Sequence, residues 1–209
     1  EPAFGAALNG HLSTVFFKSV GLNVAADTFV QLALMEILGG LVVVLGDDPG
    51  AHSSQNEQDN RHFARLAYLP LFEPAGPSEA YAMFKEAARL AREKRGAVVL
   101  RLTTHVCHAK EKVSFAAWRP QAPDDTPRFD PAAAAFVPIA AAVFPMKRRA
   151  LAKLEAFRAV ADGTPFHVRR DGGNEARGVI TSGTVFLSLL DALQGSGAPP
   201  DVLKLGLTH

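Results

Sequence analysis

Cysteine is nearly absent from this sequence, since Cys107 is the only one among 209 residues. A single thiol cannot form an intramolecular disulfide. It also cannot supply the several thiolates that a Cys-rich zinc site or an iron–sulfur cluster requires, so both kinds of site are excluded within this chain. The lack of a disulfide framework is typical of reducing compartments, and we therefore expect a cytoplasmic protein.

Excess charge and long apolar runs are also missing. The formal net charge is +1, which does not predict nucleic acid or an anionic membrane as a partner. No run of about 18 apolar residues is present, and the start does not resemble a signal peptide. The chain is still 48% hydrophobic, enough to bury a core over one large domain or one domain and part of another. Because it begins at Glu1 and not at Met, we expect a piece of a longer protein.

A dense polar segment follows a short apolar run. Residues 41–45 (Leu-Val-Val-Val-Leu) are typical of a buried parallel strand, and residues 46–61 are almost entirely polar. Ligands of open α/β sheets bind at the carboxyl ends of the strands, so this loop is a candidate ligand site. The alternative is a solvated turn built on Asp-Pro-Gly.

Strand and helix patterns alternate along the first half of the chain. This order predicts right-handed crossovers and a parallel sheet. Pro70 marks one strand as an edge strand, and Ser78 is the expected N-cap of the clearest helix. The expected strands are residues 13–17, 41–45, 69–72 and 97–102, and the expected helices are residues 24–38, 58–67 and 79–94.

The second half has a different character. Residues 118–127 are rich in Pro and Asp and predict a linker, and residues 145–161 predict an amphipathic helix. A second strand–helix–strand unit begins near Arg177. One such unit cannot cover both faces of its own sheet, so we expect a truncated second domain whose exposed apolar surface favours association.

Two segments carry a resemblance to a known family. They are residues 18–23 (Lys-Ser-Val-Gly-Leu-Asn) and residues 47–61, which contain the string His-Ser-Ser-Gln-Asn-Glu-Gln-Asp-Asn-Arg. The sequence resembles the alpha subunit of indolepyruvate ferredoxin oxidoreductases, which are thiamine-diphosphate-dependent 2-oxoacid oxidoreductases. A weaker similarity continues from residues 101–104 to residues 202–206.

The resemblance implies a fold and an activity. Residues 1–114 would be the α/β pyrimidine-binding module, residues 115–173 a linker with a helix, and residues 174–209 the start of a transketolase C-terminal-like domain. The parent enzyme would convert a 2-oxoacid such as indolepyruvate or another arylpyruvate oxidatively to an acyl-CoA. It would use thiamine diphosphate, Mg²⁺, iron–sulfur clusters and CoA. Its partners would be a beta subunit and ferredoxin within an oligomer.

Some of the family's essential parts are not in this sequence. The glutamate that polarises the aminopyrimidine belongs to an Asn-Glu pair, and counting back from Gly5 places it upstream of Glu1. The Gly-Asp-Gly…Asn signature for diphosphate and magnesium is absent, as is the Cys-rich tail. We therefore expect no catalytic residue and no metal ligands in this chain, and no activity from the chain on its own.

The resemblance also suggests site residues. Lys18, Gly21, Leu22 and Asn23 would lie on the cofactor side, and Asp48, His52, Ser53, Gln55 and Asn56 on the substrate side. His52 could orient a carboxylate or move a proton, unless it is bonded to its own loop. Ser19 stands where family members usually have His, which bears on the identity of the substrate.

Other chemically interesting residues have simpler interpretations. Arg61 could bind a carboxylate, but an ion pair with Asp59 or Glu57 is the commoner arrangement. His105 and His108 flank Cys107 at a spacing that does not favour a metal site, and nothing supports Cys107 as a nucleophile. The basic residues 147–149 are typical of a solvated helix face.

Two other functions remain open at this level. The chain could be a non-catalytic α/β interaction module that uses the polar loop for docking. It could also belong to a thiamine-dependent decarboxylase without ferredoxin coupling. The presence of the upstream glutamate in the parent protein would discriminate the first alternative from an enzyme.

Overall fold

A computed structural model describes residues 1–115, 117, 126, 128–132, 134 and 136–208, without the side chains of residues 174 and 175. The predicted linker, residues 118–127, therefore lies outside the described residues apart from Thr126. Within the wider range 115–173, residues 136–173 are all described. In chain order the elements are α1 (Pro2–Leu8), β1 (Ser13–Lys18), α2 (Gly21–Val24), α3 (Ala26–Gln31), a 3₁₀ turn (Leu32–Leu34), β2 (Leu41–Asp47), α4 (Arg61–Leu66), β3 (Leu71–Phe72), α5 (Pro77–Glu93), β4 (Ala97–Thr103), α6 (Thr104–His108), α7 (Ala140–Ala161), β5 (Val168–Arg170), β6 (Asn174–Ser182), α8 (Val185–Ala192), β7 (Pro200–Leu205) and β8 (Leu207–Thr208).

The larger sheet has the strand order β1-β2-β4-β3-β8. The first four strands run parallel, and β8 pairs with β3 antiparallel. The central strands β2 and β4 are buried on both faces and mostly apolar, because helices cover both sides of the sheet. The predicted α/β architecture with a parallel sheet is confirmed.

Alternate residues of β2 pack against different helices. Leu41, Val43 and Leu45 join a cluster that includes residues of α1, α3 and α7. Val42 and Val44 face the opposite cluster, which contains the apolar stripe of α5. The period of two along a strand produces this division, and it places the strand between two layers of helix.

A smaller sheet has the order β5-β7-β6. Its strands β6 and β7 are parallel, and β5 is antiparallel to β7. Helix α8 packs on one face through Phe186, whereas Ile180 on β6 remains 70% exposed. The chain then returns to the larger sheet, because β8 follows β7 after one residue and pairs with β3.

The predicted helix over residues 24–38 is wrong. The segment is divided into α2, α3 and the 3₁₀ turn, and Met35 is already extended. The carbonyl of Met35 accepts a hydrogen bond of 3.0 Å from Nζ of Lys153 on α7. This long-range contact satisfies the carbonyl of Met35, which a continuing helix would have bonded within itself. The apolar pattern of residues 24–38 gives no indication of this contact.

Two further expectations need correction. Strand β3 is not an edge strand, because it lies between β4 and β8. Pro70 precedes β3, and its carbonyl accepts the N–H of Val99, so the missing N–H of proline leaves the ladder intact. Helix α5 begins at Pro77 after an N-cap at Gly76, so Ser78 is not the cap. The carboxylate of Glu79 accepts the N–H of Ala75 at 2.6 Å and takes part in closing this end.

Helix α7 is longer than expected, since it begins at Ala140 and not at residue 145. Lys153 attaches it to the larger sheet, because its Nζ also contacts Glu36 and the carbonyl of Arg95. Burial lowers the pKa of Lys153, and the carboxylate of Glu36 opposes this effect. Among the described residues, no helix has the length and apolar character needed to cross a membrane.

Candidate functional site

The polar loop begins where two neighbouring parallel strands end. Asp47 is the last residue of β2, and it pairs in register with Thr103, the last residue of β4. The loop leaves the sheet here, and the next helix, α4, begins at Arg61. The predicted polar segment therefore lies at the carboxyl edge of the sheet, where ligands of α/β proteins bind.

Asp48 organises the first part of this loop. Its carboxylate accepts the N–H of Ser53 at 2.8 Å and the hydroxyl of Thr104 at 2.7 Å. These donors, led by the Ser53 N–H, hold the pKa of Asp48 well below its usual range. Its oxygens are thus engaged by its own loop and by α6, so the predicted substrate residue Asp48 acts here as an anchor.

A buried ion network lies beneath the loop. The guanidinium of Arg101, on β4, contacts the carboxylate of Asp47 at 2.6 Å and also that of Glu73. All three residues are buried. Asn60 donates from its side chain to Asp47 at 2.6 Å and from its backbone at 3.1 Å, so both oxygens of this carboxylate accept hydrogen bonds. The start and the end of the loop are therefore joined to the same carboxylate.

Arg61 pairs with Asp59. Its Nη2 lies 2.7 Å from the carboxylate, and its Nε also donates to Asp59 at 2.9 Å. Burial acts to raise the pKa of Asp59, but the hydrogen bonds from Arg61 prevail and lower it to about 2. The ion-pair interpretation of Arg61 is thus confirmed. Arg61 also lies 3.8 Å from Glu73, so this pair adjoins the buried network.

A second set of contacts joins the loop to the end of β1. Nζ of Lys18 donates to the carbonyl of Ser53 at 3.0 Å. The amides of Asn23 and Gln58 bond reciprocally, at 3.0 and 2.8 Å, and Gln58 also donates to the carbonyl of Ser19 at 3.1 Å. Lys18 and Asn23, both predicted on the cofactor side, therefore lie beside the substrate-side loop.

The other predicted residues have different positions. Leu22 is fully buried in the core, and Gly21 lines an apolar cavity. His52, Gln55 and Asn56 are exposed, and their side chains make no hydrogen bond within the described part of the chain. The ring of His52 lies 6.2 Å from that of His105, edge to face. These exposed side chains are available to a ligand.

A polar cavity of about 440 Å³ opens beside the loop, between the carboxyl ends of strands from both sheets. Arginine and carboxylate side chains lie next to each other in the wall of this cavity, and Thr103 and Thr181 also line it. The buried hydroxyls of these two threonines find no hydrogen-bond partner among the described residues. The charged and imidazole side chains in its wall are those of Glu57, Asp59, Arg61, Glu73, Arg101 and His105.

An apolar cavity of about 550 Å³ lies beside the edge strand β1. Aromatic and aliphatic side chains form its wall, among them Phe4, Phe17 and Phe29, and Glu1 and Asp27 add two carboxylates. Its size and lining suit a flat ring.

The described residues contain no group of three His, Cys, Asp or Glu side chains that could hold a metal ion.

Sequence reasoning missed the buried network. Arg101 lies within the apolar run Ala-Val-Val-Leu-Arg-Leu, and a charge inside a buried strand is a signal that it must be paired. Its partners could not be identified, because Glu73 lies in another loop.

Cys107 has a pKa raised by partial burial, which agrees with its interpretation as an unreactive thiol.

Comparisons with known proteins agree with this architecture. No family model matches the chain. The indolepyruvate oxidoreductase subunit IorA of Methanothermobacter marburgensis is 40% identical over 210 residues, covering 100% of this chain and 34% of the relative. The IorA subunits of Thermococcus kodakarensis and Archaeoglobus fulgidus are 35% and 32% identical, covering 99% and 100% of this chain and 32% and 33% of those relatives.

A solved structure shares the fold. It is a 2-oxoglutarate:ferredoxin oxidoreductase from Magnetococcus marinus with 2-oxoglutarate, coenzyme A and succinyl-CoA bound, with a TM-score of 0.62 and 14% identity over 99% of this chain and 43% of that one. The chain spans about one third of the length of the curated relatives it matches. This chain is therefore related, over its whole length, to a region that makes up about one third of the indolepyruvate oxidoreductase subunit IorA.

Proposed function

We propose that this chain is part of a thiamine-diphosphate-dependent 2-oxoacid ferredoxin oxidoreductase that acts on indolepyruvate or another arylpyruvate. The observation that carries the proposal is 40% identity to an IorA subunit across the entire chain. The reaction is the oxidative decarboxylation of the 2-oxoacid to an acyl-CoA, with the electrons passed to ferredoxin. The iron–sulfur clusters would belong to other parts of the assembly, because this chain has one cysteine.

We also propose the division of the chain into a pyrimidine-binding module (1–114), a connecting segment (115–173) and the start of a transketolase C-terminal-like domain (174–209). The presence of two separate sheets supports two modules, and β5, within the connecting segment, already pairs with β7 of the smaller sheet. The strand β8 bridges them in sequence and in space, since it follows β7 and pairs with β3. Strand β8 therefore crosses the module boundary, and we propose that the two modules keep a fixed orientation relative to each other.

Thiamine diphosphate, when bound, would supply the carbanion chemistry of the reaction. We propose that the apolar cavity beside β1 receives its aminopyrimidine ring, with Phe4, Phe17 and Gly21 in the wall. Lys18, Leu22 and Asn23 would support this site from the end of β1 and from α2. The diphosphate and Mg²⁺ would be held elsewhere in the assembly, since the sequence lacks the Gly-Asp-Gly…Asn signature.

The loop after β2 is the proposed substrate side. His52, Ser53, Gln55 and Asn56 are exposed there, and His52 is suited to orient the carboxylate of a 2-oxoacid. Asp48 contributes indirectly, because its carboxylate holds the backbone of Ser53. The unpartnered hydroxyls in the neighbouring polar cavity are further donors for the oxygens of a 2-oxoacid.

The proposed partners are a beta subunit, which the subunit name of the relatives suggests, and ferredoxin as electron acceptor. We further propose an oligomeric, cytoplasmic enzyme. The exposed apolar positions Ile180 and Leu203, paired in register on β6 and β7, support burial of this face in an assembly.

The test uses the full-length protein, produced together with its partner subunit and loaded with thiamine diphosphate. We expect indolepyruvate to reduce a viologen dye in a CoA-dependent reaction. His52→Ala should lower kcat/KM for the 2-oxoacid by about ten-fold or more, since a positioned side chain contributes at least this factor. His108→Ala is the matched control, because His108 is an exposed histidine on α6 that lines neither cavity, and it should leave kcat/KM unchanged.

The outcomes separate the parts of the proposal. No dye reduction with any arylpyruvate would contradict the proposed substrate class. Reduction that His52→Ala does not affect would keep the activity and remove His52 from the substrate site. Decarboxylation without dye reduction would favour the thiamine-dependent decarboxylase instead.

A further inference from the structure

A groove between helices α4 and α7 lies apart from the strand ends. It has a volume of about 680 Å³ and is lined by His62, Arg65, Leu66, Tyr68, Leu154 and Arg158. A smaller hollow of about 280 Å³ shares Tyr68 and adds Phe144 and Lys147 to the wall. We call the two together the α4–α7 groove. Neither hollow includes a residue of the polar loop or of the apolar cavity beside β1.

The α7 side of the groove is a regular helical stripe. Residues 144, 147, 151, 154 and 158 are spaced alternately by three and four, so they share one face of the helix. Three apolar side chains in the α4–α7 groove or on this stripe are exposed to solvent: Phe144 is 72% exposed, Leu66 is 63% exposed and Leu151 is 42% exposed. Apolar groups of this size in one place favour contact with another molecule.

The charge of this surface is predominantly positive. Arg65, Arg148 and Arg158 are exposed around the stripe, and Arg148 lies one turn before Leu151. Glu155 pairs with Arg158, whereas Arg65 and Arg148 have no ion pair within the described part of the chain. Lys147 lies over the ring of Tyr68, with its Nζ 3.3 Å from the ring centroid. Cations therefore surround exposed apolar side chains.

We propose that the α4–α7 groove docks an acidic segment of a partner protein. The unpaired arginines provide charge complementarity to carboxylates, and the exposed Leu66, Phe144 and Leu151 provide apolar contacts between them. The hollow beside Tyr68 fits the anchoring side chain of such a segment. A protein is favoured over a nucleic acid because exposed leucines and phenylalanine lie among the cations, and aliphatic side chains do not bind phosphate groups.

The test measures binding of a defined probe to the full-length protein. The probe is a fluorescent 18-residue helical peptide with Leu at positions spaced by three and four and Glu at most others, followed by fluorescence anisotropy. We expect saturable binding that weakens with salt. Arg65→Glu combined with Arg148→Glu should weaken it by about ten-fold or more. Leu66→Ser combined with Leu151→Ser should also weaken it, and this would be the sign of an apolar contact.

A control variant comes from the same helix. Arg149→Glu reverses one charge, as the single variant Arg65→Glu does, but residue 149 lies about 160° around α7 from Leu151 and faces away from the groove. It should leave peptide binding unchanged. The proposal is overturned if Arg149→Glu weakens binding as much as the groove variants do. It is also overturned if a peptide of scrambled sequence binds equally well, or if duplex DNA of equal charge competes more strongly than the peptide.

Discussion

The guanidinium of Arg101 lies 2.6 Å from the carboxylate of Asp47, and this buried pair joins the carboxyl ends of β4 and β2. Asp47 also accepts two hydrogen bonds from Asn60, at the far end of the polar loop. Glu73 pairs with the same guanidinium and accepts the hydroxyl of Ser182 at 2.8 Å from β6. One network thus links the larger sheet, the loop and the smaller sheet.

Replacing Arg101 should destabilise the chain strongly. Arg101→Met keeps an apolar stem in the strand but leaves two carboxylates, those of Asp47 and Glu73, buried without their cation. Removal of one partner from a buried pair costs about 3–5 kcal/mol in the free energy of unfolding. Urea denaturation monitored by circular dichroism measures this loss.

The control for that variant is Arg89→Met on α5. Arg89 also contacts two carboxylates, those of Glu86 and Glu93, but its side chain is 54% exposed. Exposed ion pairs contribute about 1 kcal/mol or less, so this variant should unfold nearly like the parent. Equal, small losses for the two arginines would show that the network around Arg101 does not stabilise the fold.

The sheet could be predicted from the sequence because its signal is local. A buried strand such as β2 is a continuous apolar run, and its periodicity and length do not depend on distant residues. The position of the polar loop followed from the same strand, because ligand-binding loops lie at the carboxyl end. The resemblance then suggested five substrate-side residues in that loop, of which Asp48 is buried and His52, Ser53, Gln55 and Asn56 are exposed.

The network and the helix boundaries could not be predicted in this way. Arg101 and Asp47 are 54 positions apart, and no pattern in a single sequence indicates which distant charges meet. The same holds for Lys153, whose contact with the carbonyl of Met35 accompanies the early end of the helical segment. Such contacts depend on the packed arrangement of elements, and this arrangement is decided by tertiary burial and not by local propensity.

Asp48→Asn should loosen the polar loop without unfolding the chain. An amide offers one acceptor oxygen where the carboxylate offers two, and it loses the charge that strengthens the bond from the Ser53 N–H. We expect the Ser53 amide to exchange its hydrogen about ten-fold faster, as measured by hydrogen exchange with NMR or mass spectrometry. Because the pKa of Asp48 is held low, the parent should keep this protection at pH 4.

The control for the loop is Asp27→Asn on α3. Asp27 is also an acceptor, for the side chain of Gln31 at 3.2 Å, but it makes no contact with the loop. Exchange at Ser53 should be unchanged in this variant. If Asp48→Asn also leaves it unchanged, Ser53 is held by contacts other than the carboxylate, such as the bond from Lys18 to its carbonyl.

Gly206→Ala should weaken the connection between the two sheets. A Cβ at residue 206 would lie 2.5 Å from the carbonyl oxygen of Phe166, so the backbone would have to move between β7 and β8. Overpacking of this kind costs about 1–3 kcal/mol, measurable as a lower urea midpoint. Gly163→Ala is the matched control, because no atom lies within 4 Å of its Cβ position. It should be neutral or slightly stabilising, and a similar loss at both positions would contradict the steric argument.

His167 makes the same connection sensitive to pH. Its Nδ1 accepts the N–H of Gly206 at 3.1 Å, which requires an unprotonated nitrogen. Burial lowers its pKa below the ordinary 6.5, and nearby Lys204 acts in the same direction, whereas Asp162 opposes it. The folded state therefore binds the proton less readily than the unfolded state. The stability that depends on neutral His167 is complete above pH 6.5 and is lost as the pH falls below it.

His167→Asn should remove this part of the pH dependence. Asparagine at residue 167 does not titrate. The free energy of unfolding of this variant should therefore fall less between pH 7 and pH 5 than that of the parent. Urea denaturation at intervals of half a pH unit measures the two slopes. His62→Asn makes the same substitution at an exposed position on α4, away from Gly206, and should keep the parent slope. A parent slope retained by His167→Asn would show that the bond to Gly206 does not couple folding to protonation.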